Sequence, residues 1–152
     1  MNRYLFSLFF ATLSLCAFAG PKSYSLASPG GKLKVNVTEG KEICYSVSLN
    51  GTQLLGPSPI SMTLTDGTVY GGAVKAKNAS LKAVKNTIKA VAYKKAEVKD
   101  NYNELSLQYA SFDLKFRVYD DGMAYRFVSK SNKPFVVRSE QATFSFPDDW
   151  KA

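Results

Sequence analysis

Apolar and polar residues alternate with a period of two along most of the chain that follows the N-terminal segment. One run, Leu33–Val37, alternates with lysine and asparagine, and a second, Ile43–Leu49, alternates with cysteine and serine. Asn50-Gly51 follows the second run, and both residue types tolerate the positive φ that a tight hairpin turn requires. The pattern predicts half-buried strands that pair antiparallel.

The alternation continues towards the C-terminus, with turn-forming residues at 66–67 and 120–122. It returns in six further segments: Ile60–Leu64, Leu105–Tyr109, Phe112–Val118, Met123–Phe127, Phe135–Val137 and Phe144–Phe146. Residues 80–92 show helical spacing, but β-branched residues occur among them and favour a strand, so the two structures are equally plausible there. Many short strands without a βαβ pattern predict an all-β protein, an antiparallel β-sandwich or barrel.

The first residues have the features of a secretory signal peptide, predicted to span residues 1–19. Arg3 supplies the positive charge, Leu5–Leu15 is an apolar run too short to span a bilayer, and Ala17–Ala19 fits the small-x-small cleavage pattern. Lipidation at Cys16 is the alternative, but a bulky leucine precedes that cysteine. We expect export to the periplasm or cell envelope, a single domain over residues 20–152 and no transmembrane segment.

Composition excludes several kinds of chemistry. The sequence contains no histidine, which rules out His-based triads and imidazole metal sites. Without the signal peptide, Cys44 is the one remaining cysteine, so neither an internal disulfide nor a cysteine-rich zinc site can form. No glycine-rich phosphate loop precedes a predicted helix.

The formal net charge of +8 comes largely from one lysine-rich stretch. Its members are Lys75, Lys77, Lys82, Lys85, Lys89, Lys94, Lys95 and Lys99. Spaced lysines can neutralise phosphates, but the stretch has few arginines and little aromatic interleaving. We therefore interpret it as a solvated strand face or loop, and expect no nucleic-acid partner.

Three groups of carboxylates were candidates for chemistry. Asp120 and Asp121 belong to a predicted turn, whereas Asp148-Asp149 precede Trp150 and fit either a turn or a sugar or calcium site. Glu140 lies between the predicted strands Phe135–Val137 and Phe144–Phe146, where a hard oxygen ligand could face a cleft. The alternative is a surface glutamate paired with a neighbouring cation such as Arg138.

Several motifs occur together in a characteristic order. They are Ser28–Val35, Ile43–Val47, Asn50-Gly51, Pro57–Ile60, Tyr102–Leu105, Phe116–Phe127 and Glu140–Phe144. This order resembles the N-terminal region of glycoside hydrolase family 97 enzymes over nearly the whole segment after the signal peptide. The block Phe116–Phe127 is the most specific part of the resemblance.

The resemblance implies a mutarotase-like supersandwich, which would be incomplete at Ala152. Family members are similar to α-glucosidases and α-galactosidases of the Bacteroidetes cell envelope, with calcium in the active site. A catalytic (β/α)₈ barrel normally follows the sandwich and carries the catalytic carboxylates. Glu140 stands where the family's N-terminal domain contributes a calcium ligand, so we expect Glu140 to be a metal ligand and the chain not to be catalytic alone.

Two functions follow from these observations. The first is an accessory sandwich that packs on the barrel of the same enzyme and helps form the site for calcium and an oligosaccharide substrate. The second is a stand-alone periplasmic β-sandwich that binds a glycan or a partner protein. For that alternative, Tyr70, Tyr102 and Trp150 are the candidate exposed aromatic residues.

Overall fold

A computed structural model describes residues 20–89, 91, 94 and 96–149, and every regular element among them is a β-strand. The strands are β1 (Lys22–Ala27), β2 (Leu33–Glu39), β3 (Ile43–Leu49), β4 (Thr52–Leu64), β5 (Val69–Tyr70), β6 (Asn78–Lys89), β7 (Glu97–Gln108), β8 (Phe112–Val118), β9 (Met123–Ser129) and β10 (Val137–Ala142). Among these residues there is no helix long and apolar enough to cross a membrane. The predicted signal peptide lies outside the described residues, as does Trp150.

The strands form two antiparallel sheets. Sheet A has the order β1-β2-β3-β4-β10, with the short β5 also paired to β4. Sheet B is the meander β6-β7-β8-β9. The predicted all-β, antiparallel sandwich is therefore confirmed. The ambiguous segment 80–92 is a strand as far as Lys89, because β6 pairs with β7 up to that residue, and residues 90 and 92 lie outside the described residues.

Local sequence explains the first hairpins. In β2 and β8 buried and more exposed residues alternate along the entire strand, as their apolar periodicity predicts. Between β3 and β4 the turn residues Asn50 and Gly51 have φ of 51° and 87°. Two consecutive positive φ values are those of a type I′ turn, whose twist matches the flanking strands.

The core lies between the two sheets. Val35 and Val37 from β2 face Leu114 and Phe116 from β8, and all four are fully buried. Burying one such side chain contributes about 1.5–3 kcal/mol. Tyr45 of β3 adds aromatic contact, with its ring centroid 6.2 Å from that of Phe116.

One carboxylate is buried in this core. Glu39 is the last residue of β2 and has only 3% of its surface exposed. Its Oε1 accepts hydrogen bonds from the Tyr109 hydroxyl at 2.6 Å and from the Ala76 backbone N–H at 3.0 Å. Burial and the adjacent Glu39 raise the pKa of Tyr109, which keeps this phenol protonated as the donor.

The two sheets are offset by about one strand. Strand β1 packs over β7 and β2 over β8, while Tyr45 of β3 contacts Tyr125 of β9 at 5.8 Å. Strand β6 therefore extends beyond sheet A at one side, and β10 extends beyond sheet B at the other. Both outlying strands are exposed along almost all of their length.

Two predictions about the C-terminal strands are wrong. The strand predicted at Phe135–Val137 instead begins at Val137 and ends at Ala142, so Glu140 lies within β10 and not between two strands. Residues Phe144–Phe146 do not form a strand. Their neighbour β4 contains Pro57 and Pro59, which have no N–H to donate, and only irregular bonds form there, such as Ser145 N–H to the Ser58 hydroxyl at 3.0 Å.

Gly67 and Gly71 both have positive φ, and comparing them distinguishes the cost of backbone strain from that of a steric clash. Gly67 and Gly71 have φ of 86° and 99°, but only at Gly71 would an added Cβ meet another atom, the Ile60 carbonyl oxygen at 2.5 Å. We expect Gly67→Ala to lower the free energy of unfolding by about 1–2 kcal/mol. Gly71→Ala should lower the free energy of unfolding by about 1–3 kcal/mol more than Gly67→Ala does, because the backbone at Gly71 must also move away from that of Ile60. Urea denaturation of residues 20–152 measures both, and equal losses would contradict the close approach.

Candidate functional site

Glu140 lies on an edge strand, on the same side of sheet A as the core. In the β4–β10 pair it is directly opposite Met62, and opposite residues in an antiparallel pair share a face. Met62 packs against the core, as do its neighbours Ile60 and Leu64 on that face of β4. The Glu140 side chain therefore starts from the core-bearing face of sheet A, just beyond the edge of sheet B.

Two tyrosines accompany Glu140 at this open side of the sandwich. Burial, followed by the negative charge of Glu140, raises the pKa of Tyr125, which places the carboxylate near β9. Tyr45, in contact with Tyr125, donates its hydroxyl to the Thr143 carbonyl at 3.3 Å. Sequence reasoning missed Tyr125, although its inward position in β9 follows from the strand alternation.

The Glu140 carboxylate is exposed and makes no ion pair with any residue that the structure describes. The salt bridges within that part of the chain join Arg117 to Glu104 and Lys130 to Asp113. The alternative pairing of Glu140 with Arg138 is not formed. Nor do the described residues contain a cluster of three potential metal-ligating side chains. A calcium ion at Glu140 would need further ligands from outside this set, because calcium takes six to eight oxygen atoms.

Exposed apolar residues flank β10, the edge strand that carries Glu140. We use the name β10 surface for Phe135, Val136, Val137, Phe144 and Phe146, whose exposed fractions range from 43% to 65%. Because β10 pairs with β4 alone among the described strands, the backbone N–H and C=O groups of its other edge have no partner strand there. Large exposed apolar patches of this kind mark contact surfaces.

The aspartates predicted to be turn formers behave as such. Between β8 and β9, Tyr119 N–H donates to the Gly122 carbonyl at 2.8 Å, and Asp120 Oδ1 accepts the Gly30 N–H at 2.6 Å. Asp120 therefore ties this turn to the loop between β1 and β2. Asp148 and Asp149 are exposed and lie outside any strand.

Two of the three aromatic residues expected to bind a glycan, Tyr70 and Tyr102, are not exposed. Tyr70 stacks on Phe112 with 4.8 Å between ring centroids, and its hydroxyl contacts that of Ser129 at 3.0 Å. Tyr102 is 7% exposed and lies beneath the Arg117 guanidinium. Both are structural residues, and that prediction is wrong for them. The lysines of β6, by contrast, are exposed, as expected of a solvated face.

Comparison with known proteins places this sandwich in a family. A sequence profile for the family described as "Glycosyl-hydrolase 97 N-terminal" matches residues 26–152. The chain belongs to this family. Its predicted resemblance to glycoside hydrolase family 97 is thereby confirmed, and the match includes Glu140 and the whole β10 surface.

Two curated relatives of this family 97 domain are α-galactosidases. A retaining α-galactosidase of Bacteroides thetaiotaomicron is 44% identical over 142 residues, which are 93% of this chain and 21% of that protein. A probable retaining α-galactosidase of Streptomyces bingchenggensis is 27% identical over 136 residues, or 86% of this chain. The chain thus spans about a fifth of the length of both relatives.

Solved structures share the fold. A β-arabinopyranosidase superposes with a TM-score of 0.73 and 26% identity, over 82% of this chain and 21% of that one. A family 97 enzyme of Pseudoalteromonas sp. strain K8, solved with acarbose, gives a TM-score of 0.73 at 17% identity, over 82% of this chain and 20% of that one. In both cases the present chain matches a small part of a much longer protein.

The β10 surface generates a prediction about association. We expect residues 20–152 to self-associate at micromolar concentration, because exposed phenylalanines and an open strand edge favour pairing. Replacing Phe135, Phe144 and Phe146 with serine should shift the sedimentation profile towards monomer. The matched control is Ile88→Ser with Val98→Ser, which removes exposed apolar groups at the opposite side and should leave association unchanged. A monomeric unmodified chain would contradict this role of the surface.

Proposed function

We propose that this chain is the accessory β-sandwich of an exported glycoside hydrolase that acts on α-galactosides or α-glucosides. In this proposal it packs through its β10 surface on a catalytic (β/α)₈ barrel of the same enzyme and helps form the site for calcium and an oligosaccharide. Family membership and the 44% identity to a retaining α-galactosidase support the proposed substrate class. Export rests on the signal-peptide pattern of residues 1–19.

One observation carries the proposal: the Glu140 carboxylate, which has no ion-pair partner among the described residues, lies on the strand that the exposed apolar residues flank. The residues of the β10 surface flank Glu140 along the chain, so a domain that covers the phenylalanines would also approach the carboxylate. An exposed glutamate without a cation partner among the described residues is free to bind a metal shared with that domain.

The chemistry of Glu140 fits one position in a calcium site. A carboxylate is a hard oxygen ligand of the kind that calcium prefers, and Glu140 would supply one anionic ligand of the set. When bound, such an ion supplies positive charge that polarises and orients oxygen groups of the substrate. This chain's own part is to hold Glu140 on a strand whose register is fixed by β4.

Catalytic carboxylates are proposed to lie elsewhere in the enzyme. Glycoside hydrolysis ordinarily needs two carboxylates that face the scissile bond and are free to act there. In the described chain, Glu39 is buried, Glu104 is paired with Arg117 and Asp113 with Lys130. We therefore expect the chain alone to be inactive on α-galactosides.

The stand-alone glycan-binding function is less well supported. It relied on exposed aromatic side chains, and both Tyr70 and Tyr102 are buried in the sandwich. Trp150, the third candidate, lies outside the described residues. The accessory role therefore remains our proposal.

A substitution at Glu140 tests the shared metal site. In an enzyme that joins this domain to its barrel, we expect Glu140→Gln to weaken calcium-dependent activity, because one anionic ligand is lost. Residues 20–152 carrying the same change should keep their stability within about 0.5 kcal/mol, since the side chain is exposed.

The matched control for that experiment is Glu97→Gln, which removes an equal charge from an exposed position in β7. Calcium titration of activity and the melting temperature of the shorter chain are the two measurements. An unchanged calcium dependence in Glu140→Gln would remove Glu140 from the metal site. A large loss of stability would make it a structural residue instead.

A further inference from the structure

Three cations share the outer face of sheet B. In the pairing of β8 with β9, Lys115 is directly opposite Arg126, and Arg117 is opposite Ala124. Leu114 and Phe116 point into the core, so the residues that alternate with them point outwards. The face is therefore the one turned away from sheet A and from Glu140.

The pair of Lys115 and Arg126 is unfavourable by itself. Like charges directly opposite each other across strands destabilise a sheet. Neither side chain makes a salt bridge within the described part of the chain. The sheet therefore carries two cations without a direct ion-pair partner among the described residues at one point on its surface, although Lys115 still interacts at longer range with Glu104.

Arg117 beside them is held in a fixed position. Its Nε donates to Glu104 Oε2 at 2.7 Å, and its guanidinium lies 4.4 Å from the centre of the Tyr102 ring. Although partial burial opposes the effect, the hydrogen bond and charge of Arg117 lower the pKa of Glu104. Glu104 is thus ionised; its direct ion pair is with Arg117, and the charge of Lys115 lowers its pKa further. With the Asp100 carboxylate at Tyr119, two carboxylates stand near the three cations, and neither of them makes a salt bridge with Arg126 among the described residues.

The surface between these side chains is concave. Ala124 contributes only a methyl group opposite Arg117, which leaves a groove of about 170 Å³ lined by Lys115, Arg117, Tyr119, Ala124, Tyr125 and Arg126. The Tyr119 hydroxyl donates to Asp100 Oδ1 at 3.2 Å, which fixes one wall. The groove therefore has a preformed shape, and Lys115, Arg117 and Arg126 place positive charges along it.

We propose that this groove binds the carboxylate or sulfate group of an acidic sugar residue. A guanidinium and an ammonium group offer several donors to such an anion, and the fork of Arg126 matches its oxygen atoms. Binding would also neutralise the repulsion between Lys115 and Arg126. A tyrosine wall suits the apolar face of a sugar ring, and membership of a glycoside hydrolase family favours a glycan over an acidic peptide.

This inference goes beyond the proposed function. The cations of the groove lie on the outer face of sheet B, whereas Glu140 starts from the inner face of sheet A, and Tyr125 is the residue that borders both. The residues proposed to hold the anion are not those proposed to hold calcium. Loss of anion binding would therefore leave the calcium proposal intact, and the reverse also holds.

The test uses the full-length protein that contains this chain. Calorimetric titration with galacturonate oligomers, sulfated galactose oligomers and neutral galactose oligomers separates the carboxylate, the sulfate and the sugar alone. We expect at least one acidic series to bind, more weakly at high salt. Lys115→Gln combined with Arg126→Gln should weaken that binding by about tenfold or more, since hydrogen bonds to charged groups are lost.

The matched control is Lys34→Gln, which removes an exposed positive charge from β2 on the other sheet and should leave binding unchanged. Melting temperatures of all variants exclude unfolding as the cause. Four results would overturn the proposal: no binding of either acidic series, equal binding of the neutral series, an equal loss in Lys34→Gln, or displacement by a glutamate-rich peptide at lower concentration than the acidic sugars.

Discussion

The offset between the two sheets is the constraint on which the rest of this structure depends. A sheet that is apolar on one face must bury that face against another layer. Here β2 and β3 bury theirs against β8 and β9, and this contact produces the core around Phe116. Because sheet B stops at β9, the outermost strand of sheet A, β10, is left exposed along its whole length.

The two outlying strands differ in how they meet solvent. Strand β6 carries lysines along its open edge, and such charges protect an edge from unwanted pairing. Strand β10 is flanked by the exposed phenylalanines 135, 144 and 146, which offer no such protection. The β6 side of the sandwich is thus protected from further strand pairing by charge. The β10 side, where Glu140 lies, is suited to contact with another domain.

Much of the fold was predictable from local pattern, because alternation and turn residues mark strands such as β2, β3 and β8 without reference to the rest of the chain. Contacts between residues that are distant in sequence could not be predicted in this way. The prolines of β4 interrupt the regular hydrogen-bond ladder beside Phe144–Phe146, and the Tyr109 hydroxyl binds Glu39 within the core. The resemblance identified Glu140. The contact of Tyr125 with Tyr45 depends on how the two sheets pack, and the cation groove depends on the register of β8 with β9.

Hydrogen exchange of the backbone amides tests the central claim most directly, namely that β10 is covered by the rest of the enzyme. The amides of β2, β3 and β8 should be protected in the 152-residue chain, because the core encloses them. Those on the open edge of β10 should exchange rapidly in that chain and become protected in a protein that continues into the barrel. Equal exchange of β10 in both proteins would contradict the account.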